Sequence, residues 1–129
     1  MKAVERTDAS APFFDGTASG RLLIQRCNAC LHPQFVSVGY TAGINRCRAC
    51  ASKDLAWIET EARGTLVTVI ATPHREGGLL GGGIVELAAG PWMFLTIDAE
   101  PHALAVGQPM RIEFAPVDES ETLPFAVSG

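Results

Sequence analysis

Arg26 to Cys50 reads RCNACLHPQFVSVGYTAGINRCRAC and holds all four cysteines of the chain. The cysteines form two Cys-x-x-Cys pairs, Cys27 with Cys30 and Cys47 with Cys50, separated by sixteen residues. Each pair places two thiols on one tight turn, and two such turns can complete a tetrahedral site for one ion. The stretch therefore predicts a metal-binding ribbon, with zinc as the expected ion.

Three other uses of the four cysteines are open. Disulfides are expected in oxidising compartments, but the N-terminal residues MKAVERTDASAPFF contain no apolar segment of a signal peptide. A thioredoxin-like redox site needs only one Cys-x-x-Cys pair, placed after a strand. Four thiolates also hold iron in electron carriers, because tetrahedral sulfur coordination does not separate iron from zinc. A structural zinc ion in a reduced, cytoplasmic protein is the favoured interpretation.

Charge is uneven along the chain, although the formal net charge is only -4. Residues 21–53 hold five basic side chains and no acid, whereas residues 76–129 hold eight acids and one arginine, Arg111. A cationic ribbon can attract nucleic acid, a phosphorylated cofactor or an acidic protein, and the acidic second half argues against a long nucleic-acid track. No apolar run reaches the roughly 18 residues that would cross a bilayer, so no membrane association is expected.

Short strand patterns separated by turn residues predict a mainly β chain. Residues 1–20 are predicted to form an N-terminal arm and a short helix, residues 21–53 the zinc ribbon, and residues 54–129 a small antiparallel barrel. Within the last segment we predict five strands, over residues 54–61, 65–72, 84–88, 92–98 and 110–116.

A glycine-rich stretch follows Pro73, with five glycines between Gly77 and Gly83. Bare backbone amides can cradle an anion, but a phosphate loop for nucleoside triphosphates also needs a Gly-Lys-Ser/Thr sequence before a helix. Neither follows here, so the stretch is predicted to be a surface loop and not a nucleotide site.

Five stretches occur in a recognisable order. They are RLLIQRCNAC at 21–30, the second Cys-x-x-Cys pair, DLAWIETEARGTLVTVIATPHR at 54–75, IVELAAGPWMFLTI at 84–97 and VGQPMRIEFAPVDESETLPFA at 106–126. In this order they resemble the zinc-ribbon plus OB-fold proteins of the domain-of-unknown-function-35 family, the acyl-CoA-associated OB-fold proteins. The resemblance covers about residues 11–127 and implies a rubredoxin-like zinc ribbon followed by an OB-fold barrel.

The resemblance also implies a function. Members of the family are usually accessory subunits that bind beside a thiolase-like enzyme, a hydroxymethylglutaryl-CoA synthase or an enoyl-CoA hydratase, and some offer a CoA thioester a path between ribbon and barrel. We therefore expect a hetero-oligomer with a thiolase-like or hydratase-like acyl-CoA enzyme, one structural zinc ion and a CoA thioester as a further ligand.

Binding of CoA requires cations for its phosphates and an apolar groove for its pantetheine arm. The candidate cations are Arg46, Arg48, Lys53, Arg63 and Arg75. Phe35, Trp57 and Trp92 are candidates for lining the groove, although packing in the core is the favoured use of each side chain.

No catalytic residue is predicted within the chain. Thiolase-type chemistry needs a nucleophilic cysteine, yet all four cysteines belong to the metal pairs, and a four-cysteine site has no open position for a substrate. His32, His74 and His102 remain, of which His74 beside Arg75 is the strongest candidate. A second hypothesis is a module that binds single-stranded nucleic acid, because zinc ribbons and OB barrels both do so. An aromatic content of 7% and the acidic second half weaken it.

Overall fold

The computed structural model describes residues 10–35, 46–73, 79–116 and 121–129. Within these residues the chain forms one α-helix, eight strands and a short 3-10 turn. The elements are α1 (Ala11–Ala18), β1 (Leu22–Cys27), β2 (Pro33–Gln34), β3 (Leu55–Thr60), β4 (Arg63–Pro73), β5 (Leu79–Leu87), β6 (Trp92–Ile97), the 3-10 turn (Pro101–Ala103), β7 (Pro109–Pro116) and β8 (Thr122–Ser128). The predicted mainly β architecture with one short N-terminal helix is confirmed. Of the predicted arm and helix over residues 1–20, residues 1–9 lie outside the described residues.

Strands β2, β1 and β3 form a three-stranded antiparallel sheet in that order, which is the ribbon. Strand β1 ends at the first cysteine pair and β3 begins after the second, so Cys27 pairs with Leu55 at the end of the sheet that carries the cysteines. Strand β3 falls within the predicted barrel segment, residues 54–129, but it pairs with β1 of the ribbon sheet. Only Glu61 and Ala62 separate β3 from the first barrel strand, β4.

Strands β4 to β8 form a closed barrel in the order β4-β5-β6-β8-β7. Every neighbouring pair is antiparallel except β6 and β8, which are parallel and share one pairing, Ile97 with Ala126. A bulge between Leu66 and Thr68 bends β4. The start of β4 pairs with β7 while most of its length pairs with β5. Five mixed strands in this order make the predicted OB-fold barrel.

Helix α1 packs into the same core as the ribbon and the barrel. Phe13 is 2% exposed and Phe14 is fully buried, and both belong to one cluster with residues of β1 and of the barrel strands. Gly16 allows this packing, because a Cβ atom there would lie 2.8 Å from Leu23 Cγ on β1. The close approach explains a glycine inside a helix, where it costs about 1 kcal/mol relative to alanine.

The prediction of a loop from Gly77 to Gly83 is wrong for residues 79–83, which belong to β5. Gly81–Gly83 lie inside β5 and pair with both β4 and β6. A Cβ atom on Gly83 would lie 2.3 Å from the carbonyl oxygen of Thr68, so the β4 bulge and β5 approach each other too closely for any side chain. Glycine is used here for close strand packing and not for a loop; Gly77 and Gly78 lie outside the described residues.

Candidate functional site

The four cysteine sulfurs lie together at the end of the ribbon. All four Sγ atoms are within 4.8 Å of one another, and both the Cys27–Cys50 and Cys30–Cys47 Sγ distances are 3.6 Å. A tetrahedral zinc–thiolate site with Zn–S bonds of about 2.3 Å places its sulfurs about 3.8 Å apart. The cluster therefore has the donor set and the spacing to hold one metal ion, as the two Cys-x-x-Cys pairs predict.

The two cysteine turns have the same local structure. Leu31 N–H donates to Cys27 O at 2.9 Å, and Ala51 N–H donates to Cys47 O at 2.8 Å. Leu31 and Ala51 both adopt the left-handed conformation, with φ of 67° and 64°. This conformation is uncommon for residues other than glycine, and it reverses the chain directly after the second cysteine of each pair. The repeated turn presents two sulfurs from each side of the site.

Backbone amides distinguish the thiols within each pair. Ala29 N–H and Cys30 N–H lie 3.3 Å and 3.4 Å from Cys27 Sγ. The Cys30 amide is the larger influence, and together these donors lower the pKa of Cys27 to about 6 against the opposing effect of burial. For Cys50 the Ser52 amide favours the thiolate, but the facing sulfurs of Cys27 and Cys30 outweigh it and raise the pKa to about 12.

Cys30 and Cys47 follow the same division. The pKa of Cys30 is raised: the His32 amide favours its thiolate, but burial and the Cys47 sulfur outweigh that donor. The pKa of Cys47 is lowered, because amide donors from Cys50 and Ala49 outweigh the large opposing effect of burial. One thiol of each pair thus has a lowered pKa and the other a raised pKa.

Metal binding is expected to release at least two protons per ion near neutral pH, because the ion displaces the protons of the two thiols with raised pKa, Cys30 and Cys50. Affinity should therefore rise with pH through neutrality, and fall further as pH drops through about 6, where Cys27 also becomes protonated. Titration calorimetry in two buffers of different ionisation enthalpy counts these protons. Release of none, or of four, would contradict the division of the thiols.

Two buried glutamines attach the second cysteine turn to the ribbon sheet. Gln34 Nε2 donates to Gln25 Oε1 at 2.9 Å and to Arg46 O at 3.1 Å, while Gln34 Oε1 accepts from Arg48 N–H at 2.9 Å. Gln34 is 3% exposed, and its amide is satisfied on both ends as buried polar groups require. Sequence reasoning missed these residues, because a glutamine in a strand carries no signal of its partner.

Two adjoining cavities lie between the ribbon and the barrel. The first has a volume of 410 Å³ and is lined mainly by apolar side chains of α1, β6 and β8. The second has a volume of 450 Å³ and lies between residues 32–35 and the turn at residues 90–92. Both are lined by Phe35, Arg48 and Trp92, so they form one continuous space, the junction groove. Its size and apolar lining suit a small-molecule ligand or an extended chain.

Phe35 and Trp92 line the junction groove. Phe35 also packs against the hydrophobic core, as Trp57 does. Arg48 is the one cation among the described residues that line the junction groove.

Of the other candidate cations, the three in the described part of the chain do not line the junction groove. Arg46 donates from Nη1 to Ala51 O at 3.4 Å next to the second cysteine turn, and Lys53 is exposed beyond that turn. Arg63 is ion-paired with Glu61. Arg75 lies outside the described residues.

The histidines do not form a catalytic arrangement in the described part of the chain. His32 lines the second cavity, and His102 is an exposed residue of the 3-10 turn. His74 lies outside the described residues. Among the residues described, no helix is long and apolar enough to cross a bilayer.

The fold defines the chain as a four-cysteine ribbon joined to an OB-fold barrel. The same fold occurs in a solved structure described as the Ltp2-ChsH2(DUF35) aldolase, with a TM-score of 0.75 and 24% sequence identity over 99% of this chain and 98% of that chain. Comparison with protein-family models and with curated proteins finds no match. The fold implied by the family resemblance is therefore confirmed over nearly the whole chain.

Proposed function

We propose that the chain is an accessory subunit of an acyl-CoA enzyme of the thiolase-like or hydratase-like kind, and that it helps to hold the CoA thioester of that enzyme. The observation that carries this proposal is the fold shared along 99% of the chain with a structure described as an aldolase with a DUF35 part. No catalytic group is assigned to the chain itself, so the reaction belongs to the partner.

The junction groove supports the thioester part of the proposal. Its apolar walls suit the pantetheine arm, and Arg48 provides a charge-assisted donor for a phosphate oxygen. A single cation is too few for the diphosphate and 3'-phosphate of CoA together. The remaining phosphate contacts are therefore assigned to the partner, which makes the chain one half of a shared binding site.

The proposed metal is zinc, held by Cys27, Cys30, Cys47 and Cys50. When bound, the ion cross-links the two cysteine turns and leaves no position for a substrate. A structural role follows from that closed coordination, and the need for free thiols fits a reducing compartment such as the cytoplasm. The purified protein should be colourless, since an Fe(III)–thiolate site would absorb visible light.

Co-expression with the acyl-CoA enzymes encoded by neighbouring genes tests the proposal. We expect one of them to co-purify, and the complex to gain thermal stability when an acyl-CoA is added. Arg48→Ala should weaken thioester binding by the complex about tenfold, the effect of losing one hydrogen bond to a charged group. Arg111→Ala is the matched control, because Arg111 is exposed, pairs with Glu113 and does not line the groove; its affinity should stay within about twofold.

Absence of a co-purifying enzyme, together with no change in thermal stability on adding CoA esters, would refute the proposal. A single-stranded oligonucleotide is the comparison ligand in the same assay. Binding of the oligonucleotide that weakens with salt would instead favour the nucleic-acid hypothesis.

A further inference from the structure

The barrel has an opening between β6 and β8. The two strands share one pairing, Ile97 with Ala126, reinforced by a hydrogen bond from Asp98 N–H to Ala126 O at 2.9 Å. In the part of the chain that the structure describes, residues 92–96 have no pairing with β8. The unpaired part of β6 and residues 123 and 124 of β8 both line the first cavity of the junction groove, which lies in this opening.

The strand register shows which backbone groups of β6 face this opening. Leu87 N–H donates to Pro91 O at 2.8 Å at the β5–β6 turn. Hydrogen-bonded and non-hydrogen-bonded residue pairs alternate along an antiparallel ladder. Because Pro91 bonds to β5, the odd-numbered residues of β6 that follow it also bond to β5. The N–H and C=O groups of Trp92, Phe94 and Thr96 consequently point away from β5 and towards the opening.

The β8 side of the opening follows the same alternation. Asp98, the next even-numbered residue after β6, bonds to Ala126 O as this register requires. On β8 the even-numbered residues face the opening: Thr122 O accepts a hydrogen bond from Thr17 Oγ1 of α1 at 2.7 Å. Pro124 lies between Thr122 and Ala126 and offers a carbonyl but no N–H. Backbone N–H and C=O groups of β6 thus line one side of the opening, and a backbone C=O group of β8 lines the other.

Among the residues that the structure describes, the side chains around the opening are mostly apolar and include one cation. Trp92 and Phe94 are 57% and 64% exposed, which is high for large aromatic side chains. Phe13 and Leu123 line the inner wall, and Arg48 reaches the same cavity from the second cysteine turn.

We propose that this opening binds an extended peptide segment of a partner protein, which adds as a strand beside β6 and carries a carboxylate that pairs with Arg48. Strand addition at a free sheet edge is an established mode of peptide recognition, in which main-chain hydrogen bonds give affinity and flanking pockets accept alternate side chains. Here Trp92, Phe94 and Thr96 repeat every second residue, which is the repeat of a peptide strand. The proposal deepens the partner-binding part of the proposed function and is an alternative to its thioester part, because the peptide and the pantetheine arm would use the same cavity and the same Arg48.

Two other occupants fit this geometry less well. A second copy of the chain would have to present a strand that is already part of its own sheet, whereas an opening bounded by strands on both sides admits a single free segment. The pantetheine arm has two amides separated by two methylene groups, so its donors and acceptors do not follow the two-residue repeat of the β6 edge.

Backbone hydrogen exchange of the free protein, followed by NMR, tests the register first. The Phe94 and Thr96 amides should exchange at least tenfold faster than those of Met93 and Leu95, which bond to β5. The acetylated peptide Val-Thr-Val-Thr-Val-Asp with a free carboxyl terminus is then the probe. At saturation it should slow exchange of the Phe94 and Thr96 amides at least tenfold.

Matched probes and variants separate main-chain pairing from simple apolar contact. The peptide N-methylated at every valine and the one N-methylated at both threonines and the aspartate each lose all N–H donors of one edge. The one that loses the donors facing β6 should bind at least tenfold more weakly. Thr96→Pro, which removes one N–H from the opening, should weaken binding about tenfold, while Thr96→Val should stay within about twofold.

The peptide measurements do not depend on the folding of any variant. No binding at millimolar peptide, unchanged affinity of both methylated peptides, or protected Phe94 and Thr96 amides in the free protein would each overturn the proposal. Displacement of the peptide by pantetheine would overturn it in favour of the pantetheine arm as the occupant.

Discussion

Replacing Cys47 with serine is expected to abolish stoichiometric metal binding, because only three thiolates remain for an ion that takes four. Loss of one of four thiolates should lower metal affinity by at least about a hundredfold. Metal content by mass spectrometry and Co(II)–thiolate absorption measure the effect.

Asn28→Ala is the matched control for that substitution. Asn28 lies within the first cysteine turn and donates to Asp54 Oδ1 at 3.0 Å, but it is not a ligand and is exposed. Its variant should keep one ion per chain with an affinity within about threefold, since an exposed hydrogen bond contributes little. A Cys47→Ser protein that still binds one ion as tightly would show that the four sulfurs do not act as one site.

Gly83→Ala is expected to destabilise the barrel by about 2–3 kcal/mol or to prevent its folding. The added methyl group would lie 2.3 Å from Thr68 O and 3.1 Å from Ile97 Cδ1. The first of these contacts is with backbone, which can move only by opening the β4–β5 ladder. Denaturant unfolding followed by circular dichroism measures the difference.

The neighbouring residue provides the control. A Cβ atom on Gly82 would lie 3.6 Å from Leu95 O, an ordinary contact. Alanine also restricts the unfolded chain more than glycine does, so Gly82→Ala should change stability by less than about 1 kcal/mol. Equal effects at Gly82 and Gly83 would mean that the close approach of β4 and β5 does not decide which side chains this strand accepts.

The cysteine cluster could be predicted from the sequence because its information is local. Two Cys-x-x-Cys pairs determine two turns, and tetrahedral coordination then determines how the turns meet. Much of the barrel could be predicted for a similar reason, since stretches such as Trp92–Ile97 alternate buried and exposed side chains.

The elements that could not be predicted depend on contacts between distant residues. The glycines of β5 carry no alternating pattern, and only the approach of Thr68 O shows why Gly83 has no side chain. Strand β8 was not predicted, because Pro124 normally argues against a strand. Pro124 lacks an N–H on the side that faces the opening beside β6, so the β7–β8 ladder loses no hydrogen bond.

The candidate ligand site could be predicted only in part. Arg48 and Trp92 line the same cavity because the fold brings the second cysteine turn near the β5–β6 turn, and no spacing in the sequence encodes that proximity. Arg63 was an equal candidate by charge, but its ion pair with Glu61 is a local strand-face contact. Charge alone therefore does not separate a groove cation from a surface cation.

The amide of Gln34 has a consequence for how quickly the site takes up its metal. It bonds to the backbone of both Arg46 and Arg48, the residues on either side of Cys47, and so positions the second turn opposite the first without help from an ion. An incoming ion then binds four thiols that are already close together. The entropic cost of bringing these distant residues together has been met during folding. Uptake should accordingly be limited by encounter and loss of the ion's water, with first-order kinetics in metal and no slow conformational phase.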